Sequence, residues 1–570
     1  MKEPSQNKTA FFSGIIGDIK DTGLAFAALL TALMLTGGFA EFFSIAVSAV
    51  VSVFLIICII KNKNLRIRFD LTLAAVLIIA LFYLIASIYA VDRGSALLGF
   101  CKFMPVPLFA VLLMQREKQA EKLLRLLPYI AMITGIVSLI LSFIFPKLFM
   151  TDGRQGGFFQ YPNTYAAFLM TAELLALSRT DNKTLNYSCA AALFLLIILT
   201  QSRAVFVLTV VFSLIILFIK GAKKQRIILG VSVGALAVAV ILLYPLLSQN
   251  EFFGRFLSLS VFESTFAGRL LYWYDALPLM IKHPFGMGYL GYYFTEHSIQ
   301  SGVYSVRFIH NDILQLILDV GFIPALAFLA IMFRHIFSPK ADFGCRTALI
   351  ALLLHFCFDF DLQYTAMWFI LLILLYSDGV TLRSAEISLK PKSASIISAV
   401  CIAVSAYFTL VCGLGFFGNT KAALGMYPIY TEQQIKLLSD TSDPKQMSDI
   451  ADSIISHNKY VHLAYSAKSR AAFSQGDVEK LIEYKRKVFD TAPFVYEEYE
   501  EYAAELIYCA EMYAQAGDTA GAEICRGELV ATRERLRALD DKLSYLGRVI
   551  KDRPKTALPD EIESYIDNIG

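Results

Sequence analysis

The chain has 570 residues, 56% of them hydrophobic and only 17% charged, with a formal net charge of +3. That composition excludes an ordinary soluble globular chain. The net charge says little, and no basic patch interleaved with aromatics points to a nucleic-acid partner. A spanning helix takes about 20 mainly apolar residues, and on that measure the sequence reads as an all-α polytopic membrane protein with thirteen spans.

The opening stretch, MKEPSQNKTAFFSGIIGDIK, is polar and mildly amphipathic and has no small-residue cleavage site after a short apolar core. Residues 1–21 are therefore expected to be a cytoplasmic segment and not a cleaved signal. Nine spans are expected at 22–41, 43–61, 71–91, 96–115, 126–147, 160–178, 185–200, 203–220 and 227–247. A long loop, 248–310, follows, and then four spans at 311–333, 346–360, 364–380 and 395–418. Together 22–418 form the expected transmembrane domain. Lysine and arginine set the orientation. With the N-terminus inside, the inner loops 61–70, 116–125, 179–184, 220–226, 334–346 and 381–392 hold twenty of them, against four in the short outer segments. The loop 248–310 is then extracytoplasmic. Nine cysteines lie scattered, mostly in apolar spans, without a CxxC or a metal-ligand spacing, and read as small apolar residues.

The composition changes at about 419. From there to 570 the chain is charged and helical in pattern, and thirteen spans place it outside. Two Gly-Asp pairs, Gly476-Asp477 and Gly517-Asp518, lie 41 residues apart between amphipathic stretches. The spacing exceeds the tetratricopeptide period, but the small-residue and Gly-Asp pattern resembles such repeats. The tail is expected to be a soluble helical unit, either a docking module for an acceptor or a bundle packed on the outer face.

The chemistry-bearing residues gather on the same face. In RFIHNDILQLILDVG, His310 stands where the long loop meets span ten, and Asn311 or Asp312 is placed to cap the helix. A histidine there is either a plain helix start or a base near neutral pH. Its candidate partners are arginines. Arg203 in LTQSRAVFVLTVV sits close to hydrocarbon between two spans, Arg269 lies in the long loop, and Arg154 lies in DGRQGGFFQYPNTYAAF. Guanidinium groups bind phosphate oxygens in bidentate fashion, so two or three of them beside a histidine suit a pyrophosphate; singly, each is an interface anchor. HPFGMGY is a turn that brings the backbone close to something. Glu173 and Asp319 fall within spans and are expected to face the bundle interior. Asp359 and Asp361, with His355 about one turn below Asp359, are weaker site candidates or else interfacial polar caps. Tyr272, Trp273, Tyr274, Tyr289, Tyr292 and Tyr293 either stack on sugars or, as expected, form an interfacial aromatic belt.

Four stretches in this order, GRQGGFFQYPNTYAAF, LTQSRAVFVLTVV, GRLLYWYDALPLMIKHPFGMGYLGYY and RFIHNDILQLILDVGFIPALAF, resemble the bacterial O-antigen ligase and polymerase family, multi-span membrane glycosyltransferases of the C structural class. The resemblance covers roughly 126–380. It implies a glycan on undecaprenyl pyrophosphate as donor, with Arg203 and Arg269 holding the pyrophosphate and His310 as the catalytic histidine. Arg154, Asn311 and Asp319 are further candidates. It implies neither cofactor nor metal, and a glycan, lipid, wall or protein acceptor. The family often carries Glu-x-Gly where this chain has Asp319-Val320-Gly321, which keeps the charge on a shorter side chain. A lipid-linked glycan transporter is the competing class, but the chain shows no paired halves with interrupted helices. A scaffold displaying the tail leaves the outer arginines unexplained.

Overall fold

The computed structural model describes residues 4–221, 223, 264–380 and 383–569. The expected span 227–247 and the first part of the loop, 248–263, lie outside the described residues. Helices stand close to the other expected spans: Pro4–Met34, Glu41–Asn62, Leu71–Tyr89, Gln119–Ile144, Pro162–Ser178, Lys183–Thr200 and Arg203–Lys220 before that segment, and Phe343–Phe356, Thr365–Ser377 and Pro391–Phe416 after it. Seven helices among the described residues have the length and apolarity to cross a membrane. The chain is an all-α, multi-pass membrane protein.

Three elements differ from expectation. The first helix begins at Pro4, so the polar segment and the first span are one continuous helix. The fourth span is bent at Met104 into Arg93–Phe103 and Pro105–Leu113, because Pro105 and Pro107 bring no N–H to the helical ladder. The span expected at 311–333 is broken into Asp312–Val320 and Phe322–Ile336 at Gly321, whose φ is +88°.

The HPFGMGY turn causes that last break. In an unbroken helix the Leu318 carbonyl would accept from the Phe322 N–H. Here Met287 N–H donates to Leu318 O at 2.6 Å, Gly288 N–H donates to Asp319 O at 2.9 Å, and Phe322 N–H turns to Pro284 O at 3.0 Å. The turn has replaced one rung of the helix with a cross-chain set. The backbones approach so closely that a Cβ at Gly321 would lie 2.4 Å from Pro284 O, and one at Gly286 2.5 Å from Asp319 O. Gly321→Ala should therefore cost about 2–4 kcal/mol through the clash and the left-handed φ, read as a lower thermal midpoint in detergent. An unchanged midpoint would show that this contact does not set the break.

The polar connections sort into two faces. On one, Arg66 and Arg68 lie in a strand, Leu65–Phe69, paired antiparallel with Ala385–Leu389. Arg125 pairs with Asp18 at 2.8 Å, and buried His335 pairs with Asp378. These are the segments that charge counting puts inside. On the other face, Asp92 receives Thr431 and Asn458 from the tail, Arg307 pairs with Glu432, and Tyr427 donates to Gly94 O at 3.0 Å. These are the segments placed outside.

The tail's first helices add Leu438, Ala451, Ile454 and Val461 to the core of the membrane region, whereas 472–566 close a core of their own around Leu481, Tyr499, Leu506 and Leu529. The two Gly-Asp turns are built alike. Gly476 and Gly517 take positive φ, and Asp477 N–H and Asp518 N–H each reach back 2.9 Å to the preceding helix, at Ala472 O and Tyr513 O. Each aspartate then caps the next helix. At its far end the tail grips the loop, with Ser544 N–H donating to Ser301 O at 3.0 Å.

Candidate active site

His310 is held in an uncommon conformation. Its φ is +53°, which costs a non-glycine residue about 1–2 kcal/mol, so its surroundings must impose it. The peptide before it is gripped on both edges. Ile309 N–H donates to Gln315 Oε1 at 3.0 Å, and Trp273 Nε1–H donates to Ile309 O at 3.1 Å. The residue after it is fixed by its own capping role. Asn311 Oδ1 accepts from Ile313 N–H and Leu314 N–H at 3.1 and 3.0 Å, and its Nδ2 donates to Cys357 O at 3.0 Å. One residue on, Asp312 Oδ1 accepts from Leu362 N–H at 2.9 Å. The histidine is thus pinned between the helix it precedes and the loop 357–362.

That loop carries Asp359, which gathers the site. Asp359 is 1% exposed and lies beyond the end of the helix Phe343–Phe356. Tyr161 OH donates to its Oδ1 at 2.9 Å, and Asn163 Nδ2 to its Oδ2 at 2.7 Å. His310 Nδ1 stands 3.5 Å from Oδ1 and an Arg269 guanidinium nitrogen 3.6 Å from Oδ2. Both distances are charge contacts and longer than good hydrogen bonds. Burial alone would push the Asp359 carboxyl up, but His310 and the Arg269 charge more than reverse it and hold it well below the usual carboxylate range. The Phe360 ring packs edge-on against the imidazole with centroids 4.9 Å apart, and Tyr272 lies 6.3 Å away on the other element. The His310 side chain is 23% exposed, and its Nδ1 makes no hydrogen bond among the described residues.

The arginines arrive from three elements. Arg269 comes from the helix Ser264–Lys282, which also supplies Tyr272 and Trp273. Arg154 donates to Asn163 Oδ1 at 2.7 Å and to Thr200 O at 3.0 Å. It therefore reaches Asp359 through one side chain. Arg203 is half-buried in the first turn of Arg203–Lys220, three residues beyond the carbonyl that Arg154 holds. The structure thus brings His310, Arg269 and Arg154 around one carboxylate, and sets Arg203 beside the Arg154 anchor.

Asp319 does not enter this cluster directly. It is fully buried, accepting from Tyr83 OH at 2.9 Å and from Gln315 Nε2 at 2.8 Å. Its reach to His310 runs through Gln315 and the Ile309 N–H. Glu173 also faces the interior, where Ser213 OH lies 3.0 Å from both of its oxygens.

Asp359 and Asp361 are both buried, and they point opposite ways along an alternating Asp-Phe-Asp. Asp359 faces His310, while Asp361 accepts from Thr164 OH at 2.6 Å and pairs with His355 Nδ1 at 2.5 Å. The six aromatics are not set alike. Tyr274 is exposed, but Tyr289 and Tyr292 are buried, and Tyr272 and Trp273 bear on His310 and the peptide before it. Tyr161, Asn163 and Gln315 stand within motifs quoted from the sequence, yet only the fold shows that they converge. Among the described residues no three of His, Cys, Asp and Glu are grouped as metal ligands would be.

Residues 188–329, less than half of the chain, match the family model described as O-antigen ligase, which bears out the resemblance read from the sequence. The matched segment carries Arg203, Arg269, His310, Asn311 and Asp319; Arg154 and Asp359 lie outside it. No curated protein matches the chain.

Proposed function

From an O-antigen ligase match that spans Arg203, Arg269 and His310, we propose that the chain is a membrane glycosyltransferase that moves a glycan from undecaprenyl pyrophosphate to an acceptor on the extracytoplasmic face. The observation that carries the reading is the convergence of His310, Arg269 and, through Asn163, Arg154 on buried Asp359. A structural anchor has no need of a strained histidine, an arginine and a carboxylate within charge contact.

The step is a single displacement. The acceptor oxygen forms a bond to the anomeric carbon, and the bond from that carbon to the phosphate oxygen breaks. Undecaprenyl pyrophosphate leaves with the bonding pair. The hydroxyl proton passes to His310. With Nδ1 turned to Asp359, Nε2 is the nitrogen left to take it, and the Asp359 charge stabilises the imidazolium that forms. Arg203 and Arg269, supported by Arg154, offset the charge growing on the leaving pyrophosphate. The scheme calls for no metal and no nucleotide sugar. It serves equally a ligase, which moves a finished glycan to a lipid, wall polymer or protein, and a polymerase, which extends another lipid-linked chain. The membrane is the bacterial plasma or inner membrane, with the N-terminus and the Arg68/Glu386 strand pair cytoplasmic and the domain 419–570 outside. The sorting of polar connections into two faces supports that orientation.

Arg203→Lys tests the phosphate role. A point charge lacks the bidentate fork, so transfer by the purified variant should fall at least about tenfold, the equivalent of losing one charged hydrogen bond. Full activity would return Arg203 to an interfacial anchor.

A further inference from the structure

Close to His310, but separated from it, is a cavity of about 290 Å³ that the transfer step does not use. Phe39, Phe416 and Tyr430 line its sides, and Glu41, Arg307 and Glu432 its polar floor. Arg307 holds Glu432 with both nitrogens, at 2.6 and 3.3 Å, and reaches Glu41 at 3.3 Å. Behind Glu41, Tyr289 OH donates to it at 2.5 Å, and Lys102 Nζ in turn donates to Tyr289 at 3.0 Å. Two carboxylates therefore face one guanidinium and one ammonium. The charges balance, which sets this pocket apart from the arginines around Asp359. A phosphate entering it would meet two carboxylates, and a cation would meet Arg307.

We propose that this pocket binds an uncharged sugar unit of a glycan substrate, distal to the sugar that reacts. The inference rests on the transferase reading above. Carboxylate oxygens accept from sugar hydroxyls, Arg307 and the Gln433 amide donate to them, and the aromatic walls take the apolar face of the ring. The volume lies at the small end of ligand sites, which run from about 300 Å³ upward, and suits one or two sugar rings. Its position fits a distal subsite. Phe39 packs on Phe308 with centroids 6.0 Å apart, Phe308 on Phe360 at 5.4 Å, and Phe360 on His310 at 4.9 Å. Two rings therefore stand between the pocket and the imidazole, so its occupant is a neighbour in the glycan and not the reacting unit. Tyr430, Glu432 and Gln433 come from the tail. The pocket exists because the chain beyond 419 folds back over the outer face, tied there by Thr431 and Asn458 on Asp92. This gives the tail a part in choosing the glycan.

The test uses the full chain in detergent and, as probe, the free repeat oligosaccharide released by mild acid from the cell's own undecaprenyl-linked glycan. Binding is read by saturation-transfer NMR on the His310→Ala protein, which needs no turnover. The oligosaccharide should bind, inorganic pyrophosphate should not displace it, and Glu432→Gln and Gln433→Ala should each weaken it about tenfold or more. Absence of binding, undiminished binding in both variants, or displacement by pyrophosphate would overturn the proposal. In the active protein the same two variants should raise a KM and leave kcat in place. A rise for the lipid-linked donor makes the pocket a donor subsite, and a rise for the acceptor makes it an acceptor subsite. A fall in kcat alone would mean that Glu432 only steadies Arg307 and the segment leading to His310, and would overturn the proposal. Binding without any transfer would sink the transferase reading and keep the pocket; transfer without binding would do the reverse.

Discussion

The His310→Ala protein should insert and fold as the wild type does and transfer glycan at least about a hundredfold more slowly, the low end of what a positioned general base contributes. The folding half of that expectation follows from the backbone. Gln315, Trp273 and Asn311 hold residues 309 and 311 through their own side chains, so the loop does not depend on the imidazole. The side chain is one of the few polar groups there without a hydrogen bond among the described residues. Removing it also relieves nothing of the strain at φ +53°, because that strain belongs to the backbone. Size-exclusion profile and thermal midpoint in detergent check the fold, and release of undecaprenyl pyrophosphate checks the chemistry. Near-normal release would reduce His310 to a residue that starts a helix.

Asp359→Asn should be nearly as damaging, with transfer down by about 10²–10⁴-fold. The substitution keeps the volume and leaves an acceptor for Tyr161. It loses the charge that faces both His310 and Arg269, and it sets an amide NH₂ against one of them or against Asn163. Because its neighbours hold the wild-type carboxyl well below the usual range, Asp359 stays ionised from about pH 5 upward. The charge that the variant removes is accordingly constant across that range. A depressed folded-state pKa also stabilises the fold above the ordinary carboxylate pKa, and that contribution is lost progressively as pH drops from the ordinary value through the lower, folded one. If Asp359→Asn kept wild-type kcat, the carboxylate would be a structural hub and not part of the transfer site.

The spans were legible because their signal is local: a run of apolar residues of the right length, with lysine and arginine on one side. Most described helices begin and end within a few residues of where the run begins and ends. The break at Gly321 was not legible, because its cause is the N–H groups of Met287 and Gly288, some thirty residues earlier in the chain. HPFGMGY was legible as a close approach of backbone, but what it approaches is the end of the helix Asp312–Val320 and not a ligand. The candidate residues fared in the same way. Arg269 and His310 stand out in sequence by being polar where polarity is expensive. Asp359 stood out less, with capping as an open reading, because its partners, Tyr161, Asn163, Arg269 and His310, come from three other parts of the chain. Trp273 looked like a belt residue, because nothing in sequence shows that its N–H meets the Ile309 carbonyl.

The most direct measurement reconstitutes the purified chain in vesicles with an undecaprenyl-pyrophosphate oligosaccharide and an acceptor from the same cell, and follows both the lipid and the glycan. Free undecaprenyl pyrophosphate should appear in equal amount with glycan newly bonded to acceptor, and both should fall together in Asp359→Asn. Lipid-linked glycan that crosses the bilayer with its sugar–phosphate bond intact, and no free undecaprenyl pyrophosphate, would contradict the transferase reading and make the chain a transporter.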